Sequence, residues 1–203
     1  MTASEFTNRI KSPKNNLVSI DSMIPWYRKL VNPSAQTLKN ANKAAVLVHV
    51  FQGSEELEIL FIKRSAYKGV HGGQVSFPGG KKEDVDIDFE HTAIREAKEE
   101  VGLEISTFEI LKNMEPLYIT PSNFLVYPFV SFSERKNELI LEEREVDYTF
   151  SVPLTKIISG ELMDFIKVST KMGRMKVPAY LWNDEVIWGA TAIITARLAA
   201  LLS

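Results

Sequence analysis

The sequence contains no cysteine, carries almost no net charge and lacks long apolar stretches. The absence of cysteine from all 203 residues excludes a disulfide framework and thiol catalysis. The formal net charge of -2 creates no global field that would recruit nucleic acid or an anionic membrane. Residues Met1 to Ile10 contain no apolar core of the signal-peptide type, and no stretch is long and apolar enough to span a bilayer. These absences favour a cytoplasmic enzyme that acts without a nucleic-acid or membrane partner.

The composition is that of an ordinary globular protein. Hydrophobic residues make up 45% and charged residues 25% of the chain. The length suits one domain with a core large enough for independent stability, and there is no internal repeat, heptad array or low-complexity tract. Residues 1–42 form a polar lead-in, expected either to be part of the same domain or to make a subunit contact. Residues 43–203 are expected to form the main body of the domain.

A glycine pair followed by an acidic helix is the most informative segment. Gly79-Gly80 precedes a predicted helix that contains Glu96, Glu99 and Glu100. Each helical residue turns by roughly 100°, so these three carboxylates, spaced i, i+3 and i+4, fall within one arc of roughly 100°. Like charges at this spacing repel each other, and no basic neighbour is expected among all three. A hard divalent cation, Mg²⁺ or Mn²⁺, would remove this conflict. The alternative is an exposed charged face, which is the usual explanation of such a run.

Residues at both ends of this helix predict its boundaries. Asp86 or Asp88 suits the N-cap and the positive end of the helix dipole. Gly102 suits a left-handed C-cap. The expected buried face consists of small and apolar residues at helical spacing, namely Ala93, Ile94, Ala97 and Val101.

The remaining hydrophobic patterns predict strands and further helices. Strands are predicted at Ala44–Phe51, Leu57–Ile62, Ile110–Tyr118, Phe124–Phe132, Met163–Ser169 and Met175–Trp182, the last two as a hairpin turning at residues 171–174. Short helices are predicted at Pro25–Leu30 and Pro153–Ile158, and a final helix opens within residues 186–192. The final helix is interpreted as core, and its apolar character also allows a homodimer contact. His49, inside the first strand, is interpreted as a hydrogen-bonded core residue.

A basic, glycine-rich loop spans residues 63–73. Its cations, which include Arg64 and Lys68, and its flexible backbone N–H groups suit phosphate oxygens. The alternative for such a loop, taken alone, is an exposed turn.

The run from Gly80 through Arg95-Glu96-Ala97-Lys98-Glu99-Glu100-Val101-Gly102-Leu103 resembles the Nudix box, the signature of Nudix hydrolases. It departs from the usual box because the gap between Gly80 and Arg95 is one residue longer and the early Glu is absent; Asp86 stands nearest to that place. The coenzyme A pyrophosphatase branch of the family has a similar longer gap with Asp in it. The segment from Arg64-Ser65 through His71 to Gly80 also resembles this branch. Gly69 is a second departure, since the branch usually has Arg there.

The resemblance implies a fold, a reaction and a set of site residues. The fold would be an α/β/α sandwich with a mixed sheet between helices, and residues 43–203 would be the Nudix domain. The reaction would be metal-dependent hydrolysis of a nucleoside diphosphate linked to another group, with coenzyme A or a derivative giving 3′,5′-ADP and 4′-phosphopantetheine.

Catalytic roles are implied for Glu96, Glu99, Glu100 and Arg95. Glu96 and Glu100 would be the main ligands of Mg²⁺ or Mn²⁺. Glu99 would be a further ligand or would help to deprotonate the water, and Arg95 would fix a carboxylate such as Glu99. The implied metal set also includes Gly80, through its backbone, and Glu145, as the late Glu of the family. Substrate contacts are expected from Arg64, Lys68, His71, Gly79, Gly80, Thr120 and Ser122.

Two other functions remain open at this point. One is hydrolysis of another diphosphate, such as a nucleotide sugar, a dinucleotide or an oxidised nucleotide, and Gly69 is the feature that keeps it open. The other is a binding or regulatory module that retains the scaffold without turnover. Such proteins usually lose carboxylates of the box, whereas this chain has all of them.

Overall fold

The computed structural model describes residues 1–12, 23, 33–66, 72–170 and 173–203. The helices are α1 Ala3–Lys11, α2 Ala35–Asn40, α3 Phe89–Val101, α4 Leu154–Ser159 and α5 Gly189–Leu202. The strands are β1 Asn42–Gln52, β2 Leu57–Arg64, β3 Val75–Ser76, β4 Gly79–Lys81, β5 Glu109–Asn113, β6 Leu117–Ile119, β7 Phe124–Ser133, β8 Val146–Pro153, β9 Met163–Thr170, β10 Gly173–Trp182 and β11 Glu185–Trp188. The helix predicted at Pro25–Leu30, the substrate candidates Lys68 and His71, and the hairpin residues Lys171 and Met172 lie outside the described residues.

An eight-stranded mixed sheet forms the centre of the fold. Its main order is β3-β2-β1-β7-β5, with β4 paired to β1, β6 to β7 and β8 to β2. Strands β1 and β7 are parallel, whereas β1 and β2 form an antiparallel hairpin. Strand β1 is apolar at nearly every position because both faces of this central strand are buried. The prediction of a mixed sheet is confirmed.

Helices cover both faces of the sheet. Helix α3 packs Ala93, Ala97 and Val101 against one face. Helices α1, α4 and α5 pack against the other face, where Phe6 and Ile10 of α1 are completely buried in the larger core. The predicted arrangement of a mixed sheet between helices is therefore confirmed. In the part of the chain that the structure describes, no helix combines the length and the apolar character needed to cross a membrane.

The structure corrects one of the predicted elements. The single strand predicted at Ile110–Tyr118 is divided into β5 and β6, because Pro116 has no backbone N–H and the register against β7 shifts between the two strands. The final helix begins at Gly189, within the predicted range 186–192, and residues 186–188 pair with β10 as part of β11. The hairpin of β9 and β10 is confirmed.

His49 is a buried, hydrogen-bonded core residue, as predicted. Its Nδ1 lies 2.9 Å from Ser131 Oγ, and its Nε2 lies 3.3 Å from Ser133 Oγ and 3.4 Å from Asn137 Oδ1. Burial lowers the pKa of the imidazole from 6.5 to about 4. The ring is therefore a neutral, hydrogen-bonded core group at neutral pH.

This pKa predicts how stability depends on pH. Between pH 6.5 and 4 the unfolded chain binds a proton at His49 more readily than the folded protein does, so stability should fall as the pH is lowered through this window. Between pH 7 and 4.5 we expect wild type to lose about 2 kcal/mol more than His49→Gln, measured by urea unfolding at both pH values. Equal losses in the two proteins would contradict this assignment.

Candidate active site

Helix α3 is held at both ends by the residues that flank it. The side chain of Asp88 accepts a hydrogen bond from the His91 N–H (2.8 Å), so Asp88, and not Asp86, is the N-cap. Gly102 ends the helix with φ 71°, in the left-handed region, as predicted. A Cβ at Gly102 would lie 3.0 Å from the Ile140 backbone N, so the following loop packs closely against this cap. These caps set the ends of the helix, and packing of Ala93, Ala97 and Val101 against the sheet turns its acidic face toward β4 and the end of β2.

Glu100 is the most buried of the three acidic side chains, with an exposed fraction of 2%. Its Oε2 accepts a hydrogen bond from the Gly79 N–H (2.8 Å), and its Oε1 lies 2.8 Å from Arg64 Nη1. Burial raises the pKa of this carboxyl to about 7, although Arg64 and the Gly79 amide act in the opposite direction. Glu100 is thus a carboxylate whose charge depends on two donors.

Glu96 and Glu99 share one guanidinium. Arg95 Nη1 lies 3.0 Å from Glu96 Oε1 and 2.9 Å from Glu99 Oε2, so the expected contact between Arg95 and Glu99 is present. Burial raises the pKa of Glu96, and Arg95 opposes this shift. No single basic side chain of the described residues contacts all three carboxylates, since the fold brings Arg95 to two of them and Arg64 to the third.

Asp86 holds Arg95 in place, a role that the sequence did not assign to it. Its side chain is completely buried, and its two oxygens receive Arg95 Nε (2.8 Å) and Nη2 (2.9 Å). It also accepts hydrogen bonds from Thr92 Oγ1 (3.0 Å) and the Glu83 N–H (2.8 Å), and it lies 3.1 Å from His91 Nδ1. The paired guanidinium holds the pKa of Asp86 well below its usual range. The one available signal was its position in the gap of the box where the early Glu is absent.

Arg95 and the three helix carboxylates line an open cleft with a volume of about 630 Å³. Most of the predicted site residues line it: Arg64, Gly79, Gly80, Arg95, Glu96, Glu99, Glu100 and Glu145. Four residues that the sequence did not single out as site residues also line it, namely Lys81, Glu83, Glu142 and Arg144.

Two predicted substrate contacts lie elsewhere. Thr120 and Ser122 are in a short 3-10 turn between β6 and β7 and are not among the described residues that line the cleft. Asn123 follows this turn with φ 52°, in the left-handed region that asparagine tolerates better than most residues.

The cleft offers the donor atoms that Mg²⁺ or Mn²⁺ prefers. A Cβ at position 80 would overlap with the carboxylate of Glu96, so glycine allows this carboxylate to lie directly against the backbone of β4. Carboxylate and backbone oxygens are hard ligands and suit these ions. In the present rotamers, however, no three acidic or histidine side chains of the described residues converge on one position that could hold an ion. The oxygens point to guanidinium groups instead.

Comparison with known proteins identifies the family to which this chain belongs. The sequence pattern of the NUDIX domain matches residues 41–167. The mitochondrial coenzyme A diphosphatase NUDT8 of Homo sapiens is 31% identical over 194 residues, covering 92% of this chain and 80% of that protein. A Nudix hydrolase, NudL, of Photorhabdus laumondii is 29% identical over 183 residues, covering 90% of this chain and 97% of that one. The crystal structure of a MutT/nudix family protein from Enterococcus faecalis matches with a TM-score of 0.52 at 17% identity, over 97% of this chain and 73% of that one. This last likeness concerns the fold alone.

The Asp86–Arg95 pair predicts a stability effect. Asp86→Asn removes the charge of a buried carboxylate and leaves Arg95 without its bidentate partner, so we expect a loss on the order of 3 kcal/mol in chemical denaturation. Glu161→Gln is the matched control, because it disrupts an ion pair with Lys156 that is exposed to solvent, and it should cost less than about 1 kcal/mol. Similar losses in the two variants would show that Asp86 has no special role in fixing Arg95.

Proposed function

The chain belongs to the Nudix family and is a hydrolase of that family, and from this premise we propose that it cleaves coenzyme A or a derivative to 3′,5′-ADP and 4′-phosphopantetheine in a metal-dependent reaction. The observation that carries the proposal is the cleft in which Glu96, Glu99, Glu100 and Glu145 lie together with Arg64. Resemblance to the coenzyme A pyrophosphatase branch and to a coenzyme A diphosphatase supports the choice of substrate.

The proposed mechanism rests on the acidic wall of the cleft. Glu96 and Glu100 would hold Mg²⁺ or Mn²⁺ with the backbone of Gly80, and Glu99 or Glu145 would complete the set. When bound, such an ion neutralises the diphosphate and acidifies a water molecule. Glu99 would accept a proton from the water that attacks phosphorus, since it is the most exposed of the three helix carboxylates. The bond between phosphorus and the bridging oxygen breaks, and the oxygen leaves with one of the two phosphate products.

Basic groups would hold the substrate. Arg64 faces the cleft from the end of β2, and the backbone of Gly79-Gly80 allows a phosphate to approach closely. Lys68 and His71, in the loop that follows Arg64, are proposed as further phosphate contacts. Thr120 and Ser122 remain candidates only for a part of the substrate that extends beyond the cleft.

We also propose that residues 1–42 belong to the same domain as residues 43–203. Burial of Phe6 and Ile10 in the larger core supports this. The proposed setting is a cytoplasmic protein that acts on a small molecule, without a nucleic-acid or membrane partner. A homodimer contact at helix α5 is a further proposal, based on the apolar character of this helix. Many of its apolar side chains pack into the core of their own chain, which leaves fewer of them for a partner.

A second candidate is hydrolysis of another nucleoside diphosphate derivative. Gly69 favours it, because this position lacks the Arg that is usual in the coenzyme A branch.

A substrate panel tests these two candidates. Incubation with Mg²⁺ or Mn²⁺ and coenzyme A should yield 3′,5′-ADP and 4′-phosphopantetheine, identified by mass spectrometry, and EDTA should abolish turnover. Nucleotide sugars, dinucleotides and oxidised nucleotides in the same assay should react more slowly. If one of these is cleaved and coenzyme A is not, the substrate proposal fails and the reaction class stands.

Substitution of Glu100 tests the site. Glu100→Gln keeps the shape of the side chain but removes its charge, so kcat should fall by about 100-fold or more, which corresponds to roughly 3 kcal/mol of transition-state stabilisation. The melting temperature should be equal to that of wild type or higher, because burial disfavours the charged carboxylate. The matched control is Glu104→Gln, which alters an exposed pair with Lys98 outside the cleft and should leave kcat unchanged. A Glu100→Gln enzyme with the wild-type rate would exclude Glu100 as an essential ligand.

A further inference from the structure

Arg64 and Arg95, which both line the cleft, are held by different groups. Arg95 is fixed by Asp86 through two hydrogen bonds and donates a third to the Lys81 carbonyl (3.2 Å). Neither Asp86 nor that carbonyl is part of the proposed metal set, so Arg95 has anchors of its own. Arg64 has two cleft carboxylates as described partners: it donates a hydrogen bond to Glu100 at 2.8 Å, and its Nη2 lies 4.0 Å from a carboxylate oxygen of Glu145, an ion-pair distance. Its side chain is 29% exposed and faces the open volume of the cleft.

Backbone hydrogen bonds hold the main chain of Arg64 in place. Its N–H donates to the Gln74 carbonyl (3.0 Å), and its carbonyl accepts from the Gly73 N–H (2.9 Å). The pairing of β2 with β8 also shifts register between Lys63 and Arg64, and such an irregularity changes the direction in which a side chain points. A guanidinium on a fixed backbone can turn from Glu100 toward a ligand in the cleft while the strand stays in place.

The two oxygens of Glu100 are not equivalent. Oε2 is bound to the Gly79 N–H, which belongs to a strand that pairs with β1. A Cβ at position 79 would overlap with the backbone of Ala45 and Val46, so β4 lies very close to β1, and the pairing of the two strands holds this amide in place. Among the residues that the structure describes, the partner of Oε1 is a side chain, the guanidinium of Arg64. A cation that approaches Oε1 would therefore meet the positive charge of Arg64 at close range.

We propose that Arg64 is an exchangeable counterion of the cleft: it neutralises Glu100 until a divalent cation takes Oε1, and the released guanidinium then binds a phosphate of the diphosphate substrate. This inference rests on the proposed metal-dependent function and adds a coupling between binding of the cation at Glu100 and binding of the substrate by Arg64. The cation and the guanidinium compete at this oxygen, because repulsion between the two positive groups at close range makes the binding of one weaken the binding of the other. The positive charge that the cation displaces then becomes available to the anionic substrate, because guanidinium groups bind phosphate oxygens well.

Direct measurement of Mn²⁺ binding tests the exchange without reference to turnover. In substrate-free protein, followed by electron paramagnetic resonance of free Mn²⁺, Arg64→Gln should bind Mn²⁺ at least about tenfold more tightly than wild type, a difference of about 1.4 kcal/mol. The matched control is Arg144→Gln, because Arg144 lines the same cleft but has no described contact with Glu100. Its Mn²⁺ affinity should change by less than about threefold, because it removes one positive charge from the cleft without freeing an oxygen of Glu100.

Two further variants locate the effect. Adding Glu100→Gln to Arg64→Gln should remove the gain in affinity, because the gain arises at Glu100. Arg64→Lys keeps the charge but loses the planar guanidinium, so its affinity should be intermediate; it also provides a test if Arg64→Gln does not fold. Mn²⁺ affinity at or below the wild-type value in Arg64→Gln and Arg64→Lys, while wild type binds the ion, would overturn the exchange and leave the proposed function intact. Failure of wild type and all variants to bind Mn²⁺ would overturn both.

Discussion

The burial of the Glu100 carboxylate is the interaction on which the site depends. A carboxylate that is 2% exposed must be compensated by donors or lose its charge. Here one donor is a rigid backbone amide, at Gly79, and the other is a movable side chain, Arg64. The first fixes where the carboxylate lies, and the second leaves one oxygen exchangeable. Burial also raises the pKa of this group, so the folded protein bears an energetic cost at the position where the proposed chemistry needs a negative charge.

The fold supplies this arrangement by bringing three segments together. Strand β4 pairs with the first half of β1 and presents the backbone of Gly79-Gly80. Helix α3 packs its small residues on the same face of the sheet and presents the carboxylates. The end of β2 contributes Arg64, and Asp86, in the loop before the helix, orders Arg95. Glycine is required at position 79, where a Cβ would overlap with the backbone of β1, and glycine at position 80 leaves room for the carboxylate of Glu96 against β4.

Sequence patterns predicted the scaffold better than they predicted the contacts within the site. The apolar run of β1, the caps and spacing of α3 and the β9–β10 hairpin are local signals, and the structure contains all three. The pairing of Arg64 with Glu100 joins residues 36 positions apart, and helical spacing carries no information about such a neighbour. Sequence alone does not identify Asp86 as the anchor of Arg95, because a carboxylate just before a helix suits the N-cap equally well. The division of β5 from β6 depends on a register shift against β7, which only the assembled sheet reveals.

The central claim is that the acidic wall of this cleft binds a divalent cation on which cleavage of a diphosphate depends. A crystal structure of the protein with Mn²⁺ and a non-hydrolysable diphosphate, with anomalous difference maps recorded at the manganese edge, tests it most directly. We expect anomalous peaks that place Mn²⁺ within bonding distance of oxygens of Glu96 and Glu100. The guanidinium of Arg64 should then have turned from Glu100 to the diphosphate. An anomalous peak elsewhere, with the Arg64–Glu100 contact still in place and the diphosphate bound away from Gly80, would contradict it.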